Sequence, residues 1–153
     1  SLRMNLSEHF TLEEATYSET AIRNGISNQP DEHQLQNMQT AAKQLEAVRA
    51  LVGPIHVNSW IRLPAVNQAV GGAAKSSHMD GWAIDCSSKN MTPIEMCKKV
   101  LDAGIKFDQM IHEYGRWMHI SFAPEMRQQS LTIFKPEGKY KPGILTEAEY
   151  HAA

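Results

Sequence analysis

The sequence predicts an α+β fold in which helices pack on one side of a small antiparallel sheet. Between residues 30 and 52, apolar residues recur at intervals of three and four, which is typical of one long amphipathic helix that ends at Gly53-Pro54. Residues 107–122 instead show two β-like runs joined at Tyr114-Gly115, the pattern of a tight hairpin. A chain of 153 residues with 42% hydrophobic residues can bury one sizeable core, so we expect one site on one domain.

The first half of the chain supplies the other elements that precede the predicted site. Thr11 followed by Glu14 is a capping-box pattern, which predicts a short first helix. Residues 54–60 form a short β-like run after the long helix. Residues 63–78 are rich in small side chains, and we predict that they form a loop.

The second half of the chain continues with a strand, a helix and the hairpin. Residues 81–86 are typical of a buried strand, and Thr92-Pro93 opens a second helix that Gly104 closes. After Pro124 the sequence becomes polar and irregular. We therefore predict a domain over residues 1–123 and a C-terminal tail over residues 124–153, which packs on the domain or follows it loosely.

Charge and composition exclude several classes of protein. The chain has 15 Lys and Arg against 17 Asp and Glu, so its net charge of −2 offers no electrostatic footprint for nucleic acid or an anionic membrane. The apolar runs are too short for membrane insertion, and two cysteines are too few for a disulfide scaffold. The N-terminus lacks a signal-peptide core, which leads us to expect synthesis in the cytoplasm. The sequence gives no indication of oligomeric state.

Histidine and acidic residues stand at the ends of the predicted strands. They are His78 and Asp85 in the first segment, and Glu113 and His119 in the hairpin. Catalytic zinc takes three nitrogen or oxygen ligands and keeps a fourth position open, which two histidines and one aspartate satisfy. Glu113 would then be near enough to act as a general base. Taken singly, each of these residues is more often a hydrogen-bonded structural residue or a turn former.

Two motifs give these residues a common context, because they resemble a known family. The segment 76–85 matches the pattern S-x-H-x-x-G-x-A-x-D at every specified position, and residues 117–121 match W-x-H-I/V-S. Both patterns resemble zinc D-Ala-D-Ala carboxypeptidases and L-alanyl-D-glutamate endopeptidases, including phage endolysins. The upstream segments 9–30 and 57–72 are similar to the same phage-type branch, so the resemblance covers residues 6–122.

The resemblance implies a role for each matching residue. One zinc ion per chain would be held by His78, Asp85 and His119. Glu113 falls on the catalytic carboxylate, and its distance of six residues from His119 resembles hedgehog signalling domains and many phage members. The implied fold is accordingly that of the hedgehog and DD-peptidase group.

Two further residues match positions that bind substrate in the family. Arg62 falls on the arginine that pairs with a substrate carboxylate, a pairing that suits the fork of a guanidinium. Ser76 falls on a serine near the bound peptide. The residues before Arg62 depart from the family pattern S-G-Y-R, since Trp60 and Ile61 stand in the place of the glycine and tyrosine.

The implied function is zinc-dependent hydrolysis of peptidoglycan stem peptides. The bond cut is either D-Ala-D-Ala at the peptide end or L-Ala-D-Glu within it. The alternative is a non-catalytic, zinc-stabilised binding or virion-structural module, which the hedgehog-like spacing of Glu113 keeps open. If the protein comes from a phage, it would reach the cell wall through a lysis system or during virion entry.

Three other residues near the motifs are assigned structural roles. His112 should point to the sheet face opposite Glu113, so we expect it to support the site or lie at the surface. Trp82 and Trp117 flank the ligand segments, and we expect core packing rather than a wall of the substrate site for both.

Overall fold

A six-stranded sheet forms the centre of the protein in a computed structural model that describes residues 4–153. Residues 1–3 of the predicted domain lie outside the described residues. The strands run in the order β1-β2-β4-β3-β5-β6, and neighbours are antiparallel except for the parallel pair β3 and β5. They are β1 Ile55–Ser59, β2 Ala83–Ser88, β3 Gln109–Glu113, β4 Trp117–Ser121, β5 Gln129–Ile133 and β6 Lys141–Pro142.

Six α-helices and one short 3₁₀ helix accompany the sheet in the described part of the chain. The α-helices are α1 Leu12–Thr16, α2 Glu19–Asn24, α3 Glu32–Val52, α4 Pro64–Ala69, α5 Pro93–Asp102 and α6 Glu147–Ala152, and the 3₁₀ helix is Ser77–Asp80. Helix α3 packs against α5, and α5 packs against β2, β3 and β4. The predicted α+β class with helices on one face of the sheet is confirmed.

The central strands divide their side chains between a core and an open face. Successive residues of a strand point to opposite faces. Alternate residues of β2, β3 and β4 join α3 and α5 in one buried cluster, and the strand members are Ile84, Cys86, Met110, Met118 and Ile120. The residues between them, Asp85, Ile111, Glu113, Trp117 and His119, therefore share the other face.

Local signals explain why the predicted helices begin and end where they do. Thr11 and Glu14 form the expected capping box at α1, and Thr92 and Glu95 form one at α5. Helix α3 ends at Gly53, whose φ of 82° suits a glycine. Such caps satisfy backbone N–H groups that the first turn leaves unpaired.

The predicted loop over residues 63–78 is wrong in part, because it contains two short helices. Helix α4 begins with Pro64 at its first position, where proline lacks only an N–H that would be unpaired in any case. The 3₁₀ helix follows at Ser77–Asp80. The many small residues in this segment favoured the prediction of a loop, although Pro64 is typical of a helix N-terminus.

The C-terminal tail predicted after Pro124 contains regular elements that the sequence did not indicate. Residues 129–133 form β5, which pairs with β3, and β6 and α6 follow. Tyr150 of α6 is fully buried. A parallel pairing depends on contacts between distant residues, so no local pattern announced it. The sheet thus continues across the boundary predicted at residue 123.

Two predictions drawn from composition can be compared directly with the structure. Cys86 and Cys97 are buried free thiols, consistent with the absence of a disulfide scaffold, and burial raises the pKa of Cys97 to about 12. No helix within residues 4–153 combines the length and hydrophobicity needed to cross a lipid bilayer.

Candidate metal centre

Three side chains that could ligate a metal ion converge on the open face of the sheet. Asp85 on β2 lies directly opposite His119 on β4 in the strand register, and His78 approaches from the 3₁₀ helix. Asp85 Oδ1 is 3.3 Å from His78 Nε2 and 2.9 Å from His119 Nδ1. One donor atom from each residue lies within 4.8 Å of the others. The structure therefore brings together all three predicted ligands.

The orientation of His78 is set by its neighbours. Its Nδ1 lies 2.7 Å from the carbonyl oxygen of Trp60, which can only accept a hydrogen bond. Nδ1 must therefore carry a proton, and Nε2, which faces Asp85, is the nitrogen that could bind a metal ion. The carbonyl of His78 accepts a hydrogen bond from the backbone N–H of Arg62 at 3.0 Å, which ties this turn to the end of β1.

The donor set fits a tetrahedral zinc ion. Zinc binds imidazole nitrogen and carboxylate oxygen at about 2.0–2.2 Å, which places neighbouring donors of a tetrahedron about 3.3 Å apart. The separation of 3.3 Å between His78 Nε2 and Asp85 Oδ1 matches that spacing, and the separation of 2.9 Å between Asp85 Oδ1 and His119 Nδ1 is shorter than it. Two imidazoles and one carboxylate leave a fourth position for water or substrate, as catalytic zinc sites do.

The three ligands are buried on the protein side and reach solvent through a cleft. The side chain of His78 is 2% exposed, whereas those of Asp85 and His119 are 12% and 11% exposed. The cleft has a volume of about 570 Å³, and all three ligands line it. This volume lies within the range of roughly 300–1,000 Å³ that is common for ligand sites.

The charges of the three ligands depend on one another. Burial alone would raise the pKa of Asp85, but the neighbouring His78 and His119 hold it well below its usual range. Burial lowers the pKa of His78. Burial also opposes protonation of His119, yet the hydrogen bond to Asp85 and its charge raise the pKa of His119 above its ordinary value. A metal ion at this point would compete with protons for the same lone pairs.

Glu113 lies in the same cleft, two residue pairs along the hairpin from His119. It is registered opposite Trp117, whose indole Nε1 donates a hydrogen bond to its Oε2. Burial, followed by the charge of Asp85, raises the pKa of Glu113. A carboxyl group whose pKa lies nearer to neutrality is better suited to accept and return a proton.

Arg62 and Ser76, which match substrate-binding positions of the family in sequence, also line the cleft. The Nε of Arg62 is buried, and the structure of residues 4–153 shows no hydrogen-bond partner for it. Burial lowers the pKa of the Arg62 guanidinium. An unsatisfied buried donor is costly, so a ligand carboxylate here would supply a missing acceptor. Ser76 caps the 3₁₀ helix, since its Oγ accepts a hydrogen bond from the backbone N–H of His78 at 3.1 Å.

The two tryptophans have different environments in the structure, and His112 lies away from the cleft. Trp82 packs against the core as expected, but the prediction for Trp117 is wrong because it lines the cleft and contacts Glu113. His112 does lie on the opposite sheet face. It is buried there against Phe134 rather than at the surface, and its Nδ1 hydrogen-bonds the Leu145 carbonyl.

Sequence reasoning missed several residues that line the cleft. Strand alternation backward from Glu113 places Ile111 and Gln109 on the same face, so this pair carried a usable signal. No local signal marks the residues contributed by the C-terminal segment, which are Arg127, Leu131 and Tyr140. They reach the cleft only because β5 pairs with β3.

The fold and the site together define an α+β protein with a candidate mononuclear metal centre in an open cleft. The chain belongs to the Peptidase M15 family, whose pattern matches residues 8–121. No curated protein matches the chain with significant similarity. The resemblance inferred from the two motifs is thereby confirmed at the level of the family, and membership of a phage branch stays a prediction.

Proposed function

We propose that this protein is a zinc-dependent peptidase that hydrolyses the stem peptides of peptidoglycan. The observation that carries the proposal is the meeting of His78, Asp85 and His119 beside Glu113 in one cleft of a Peptidase M15 chain. Family membership supports a peptide substrate, and the donor set supports zinc.

Different residues of the cleft would bind the metal ion and transfer the proton during hydrolysis. Zinc held by the three ligands would polarise the scissile carbonyl and lower the pKa of a water molecule. Glu113 would accept a proton at its carboxylate as water adds to the scissile carbonyl, and would return it to the leaving amine as the C–N bond breaks. The hydrogen bond from Trp117 Nε1 to Oε2 restricts the orientation of the Glu113 carboxylate.

Arg62 and Ser76 would hold the substrate. The buried Nε of Arg62 has no acceptor among residues 4–153, and a guanidinium fork binds a carboxylate through two parallel hydrogen bonds. Both the C-terminus of the stem peptide and its D-Glu residue offer such a carboxylate. The two candidate bonds, D-Ala-D-Ala and L-Ala-D-Glu, therefore both fit this element of the proposal. The place of action would be the bacterial cell wall, with a phage lysis system or virion as the delivery route.

The deciding experiment compares wild-type protein with Glu113→Gln on purified muropeptides. The amide cannot take up a proton as the carboxylate does, so we expect turnover to fall by about 10²–10⁴-fold while zinc stays at one ion per chain. Glu8→Gln, an exposed glutamate outside the cleft, serves as the matched control and should keep full turnover.

Mass spectrometry of the products identifies the bond. Release of a single alanine indicates the carboxypeptidase reaction, and a split within the peptide indicates the endopeptidase reaction. Zinc binding by a wild-type protein that hydrolyses neither bond would identify a non-catalytic zinc module instead. Unchanged turnover in Glu113→Gln would reject the role assigned to that residue.

A further inference from the structure

The cleft extends from the metal centre across the sheet toward the C-terminal segment. His119 on β4 is registered opposite Ile111 on β3, and Ile111 is registered opposite Leu131 on β5. All three side chains line the cleft. Ile111 and Leu131 thus form an apolar floor that begins at the metal ligands and leads away from them.

A cation stands at the far end of this floor. Arg127 lies two residues before β5 and lines the same cleft, and its side chain is 53% exposed. Arg62, by contrast, follows β1 on the other side of the strands that carry the ligands. The metal centre therefore lies between two guanidinium groups.

Asp108 fixes the direction of the Arg127 side chain. Its buried carboxylate accepts hydrogen bonds from Arg127 Nε at 2.9 Å and Nη2 at 2.8 Å, and from the Arg127 backbone N–H at 3.0 Å. A guanidinium has five N–H donors, so this pairing uses one edge of the fork and leaves donors on the other edge. The residue is held in place before any ligand arrives, which lowers the entropy lost on binding.

The backbone around Arg127 is constrained as well. Met126 and Gln128, the residues on either side, adopt φ angles of 45° and 56°, which non-glycine residues rarely do. The backbone N–H of Gln128 donates to the carbonyl of Phe107 at 3.1 Å, which anchors the loop to the start of the hairpin. Strained backbone held by its surroundings is typical of segments that position a functional group.

The sheet geometry gives the distance between this cation and the metal centre. One to two strand spacings of about 4.8 Å separate β4 from the Asp108–Arg127 pair, and Asp108 is three residues before Ile111 along the chain. Together these offsets amount to roughly 11–14 Å. An extended peptide rises about 3.3 Å per residue, so the separation corresponds to between three and four residues.

We propose that Arg127 forms a second carboxylate subsite, which selects peptides that carry an internal acidic group three to four residues from the bond that is cut. The inference rests on the proposed peptidase function and adds the substrate class that the cleft prefers. Ile111 and Leu131 contact the peptide between the two polar ends. Asp108 is a positioning residue, and Arg127 contacts the substrate.

The test measures binding, so that it does not depend on turnover. Two synthetic stem pentapeptides are used, one with free internal carboxylates and one with these converted to carboxamides, both with a free C-terminus. Zinc-loaded Glu113→Gln protein, which leaves the peptide intact, should bind the acidic peptide about tenfold more tightly in calorimetry. Adding Arg127→Gln should weaken binding of the acidic peptide by about tenfold and leave the amidated peptide unchanged.

Two further variants separate recognition from a structural effect. Arg127→Lys keeps the charge and should retain part of the preference, and Arg23→Gln, an exposed arginine on α2, should retain all of it. A structural role for Arg127 would weaken both peptides equally and leave their ratio unchanged.

Three results decide between this proposal and the proposed peptidase function. An unchanged ratio in Arg127→Gln overturns the subsite, as does failure of the parent protein to prefer the acidic peptide. Discrimination by a protein that hydrolyses neither peptide supports the subsite and rejects the peptidase function.

Discussion

Single residues in this protein show which parts of a site can be predicted from a sequence. His78, Asp85 and His119 could be named because each occupies a fixed position in a short motif, and the strand register then brings them together. Arg127 could not be named, since its place in the cleft depends on a parallel strand pairing and on a buried partner. Trp117 was misjudged because hydrophobicity alone does not distinguish a core tryptophan from a cleft tryptophan.

Asp108 is the residue whose charge should link folding stability to pH. The hydrogen bonds from Arg127 lower the pKa of Asp108 in the folded protein. A lowered folded pKa stabilises the protein above the unfolded pKa of about 3.9, and this contribution is lost as pH falls through the folded value. We expect Asp108→Asn to lower the free energy of unfolding by roughly 1–3 kcal/mol at pH 7.

Urea unfolding at several pH values measures this effect. The difference between wild type and Asp108→Asn should shrink below about pH 4, because the carboxyl of the unfolded chain takes up a proton there while that of the folded protein does so only at lower pH. A difference that stayed constant from pH 7 to pH 3 would show that charge is not the source of the stabilisation.

At the scale of elements, the 3₁₀ helix Ser77–Asp80 links the core to the metal centre. It carries His78, and Gly81, the residue at its end, accepts a hydrogen bond from Trp60 Nε1 at 2.9 Å. The hairpin and the long helix were predicted correctly because turn residues and a 3.6-residue period mark them locally. The 3₁₀ helix and α4 were missed, since a single turn of helix shows no period.

Gly81→Ala should destabilise this element strongly. Gly81 has a φ of 86°, and an added Cβ would lie 2.7 Å from Met38 Cγ and 3.1 Å from the Gln34 carbonyl oxygen. The left-handed backbone costs roughly 1–2 kcal/mol and overpacking roughly 1–3 kcal/mol more. We therefore expect a loss of roughly 2–5 kcal/mol by denaturant unfolding, together with weaker zinc binding in titrations.

Gly25→Ala is the matched control for this substitution. Gly25 has a similar φ of 61°, but its Cβ would meet no atom within 4 Å. Only the backbone penalty of roughly 1–2 kcal/mol should remain, with zinc affinity unchanged. Equal losses in the two variants would show that the contact with α3 does not matter.

At the scale of the whole molecule, the family match and the folded unit have different limits. The Peptidase M15 match ends at residue 121, whereas the sheet continues through β5 and β6. Residues after 123 also contribute buried side chains, among them Ile133, Phe134 and Tyr150. The domain boundary predicted at residue 123 follows the extent of the sequence motifs. In the structure, strands on both sides of this residue belong to one sheet.

A chain that ends at residue 123 should therefore fail to fold cooperatively. Removing β5 would expose the hydrogen-bonding edge of β3, and loss of Tyr150 would open the packing around Phe134. Circular dichroism should show a broad thermal transition where the full chain shows a sharp one, and size-exclusion chromatography should show aggregates. A sharp transition at the same temperature would mean that residues 124–153 are dispensable for folding.

The alternation along β2, β3 and β4 places the core and the candidate metal centre on residues of opposite parity in the same strands. A slip of one residue in β4 would bring Met118 or Ile120 to the cleft and turn His119 toward the helices. Any change in the length of the turn at Tyr114–Arg116 that shifts this register would therefore damage folding and metal binding together. Insertions that preserve both must fall elsewhere, in connections that do not set the pairing of β3 with β4.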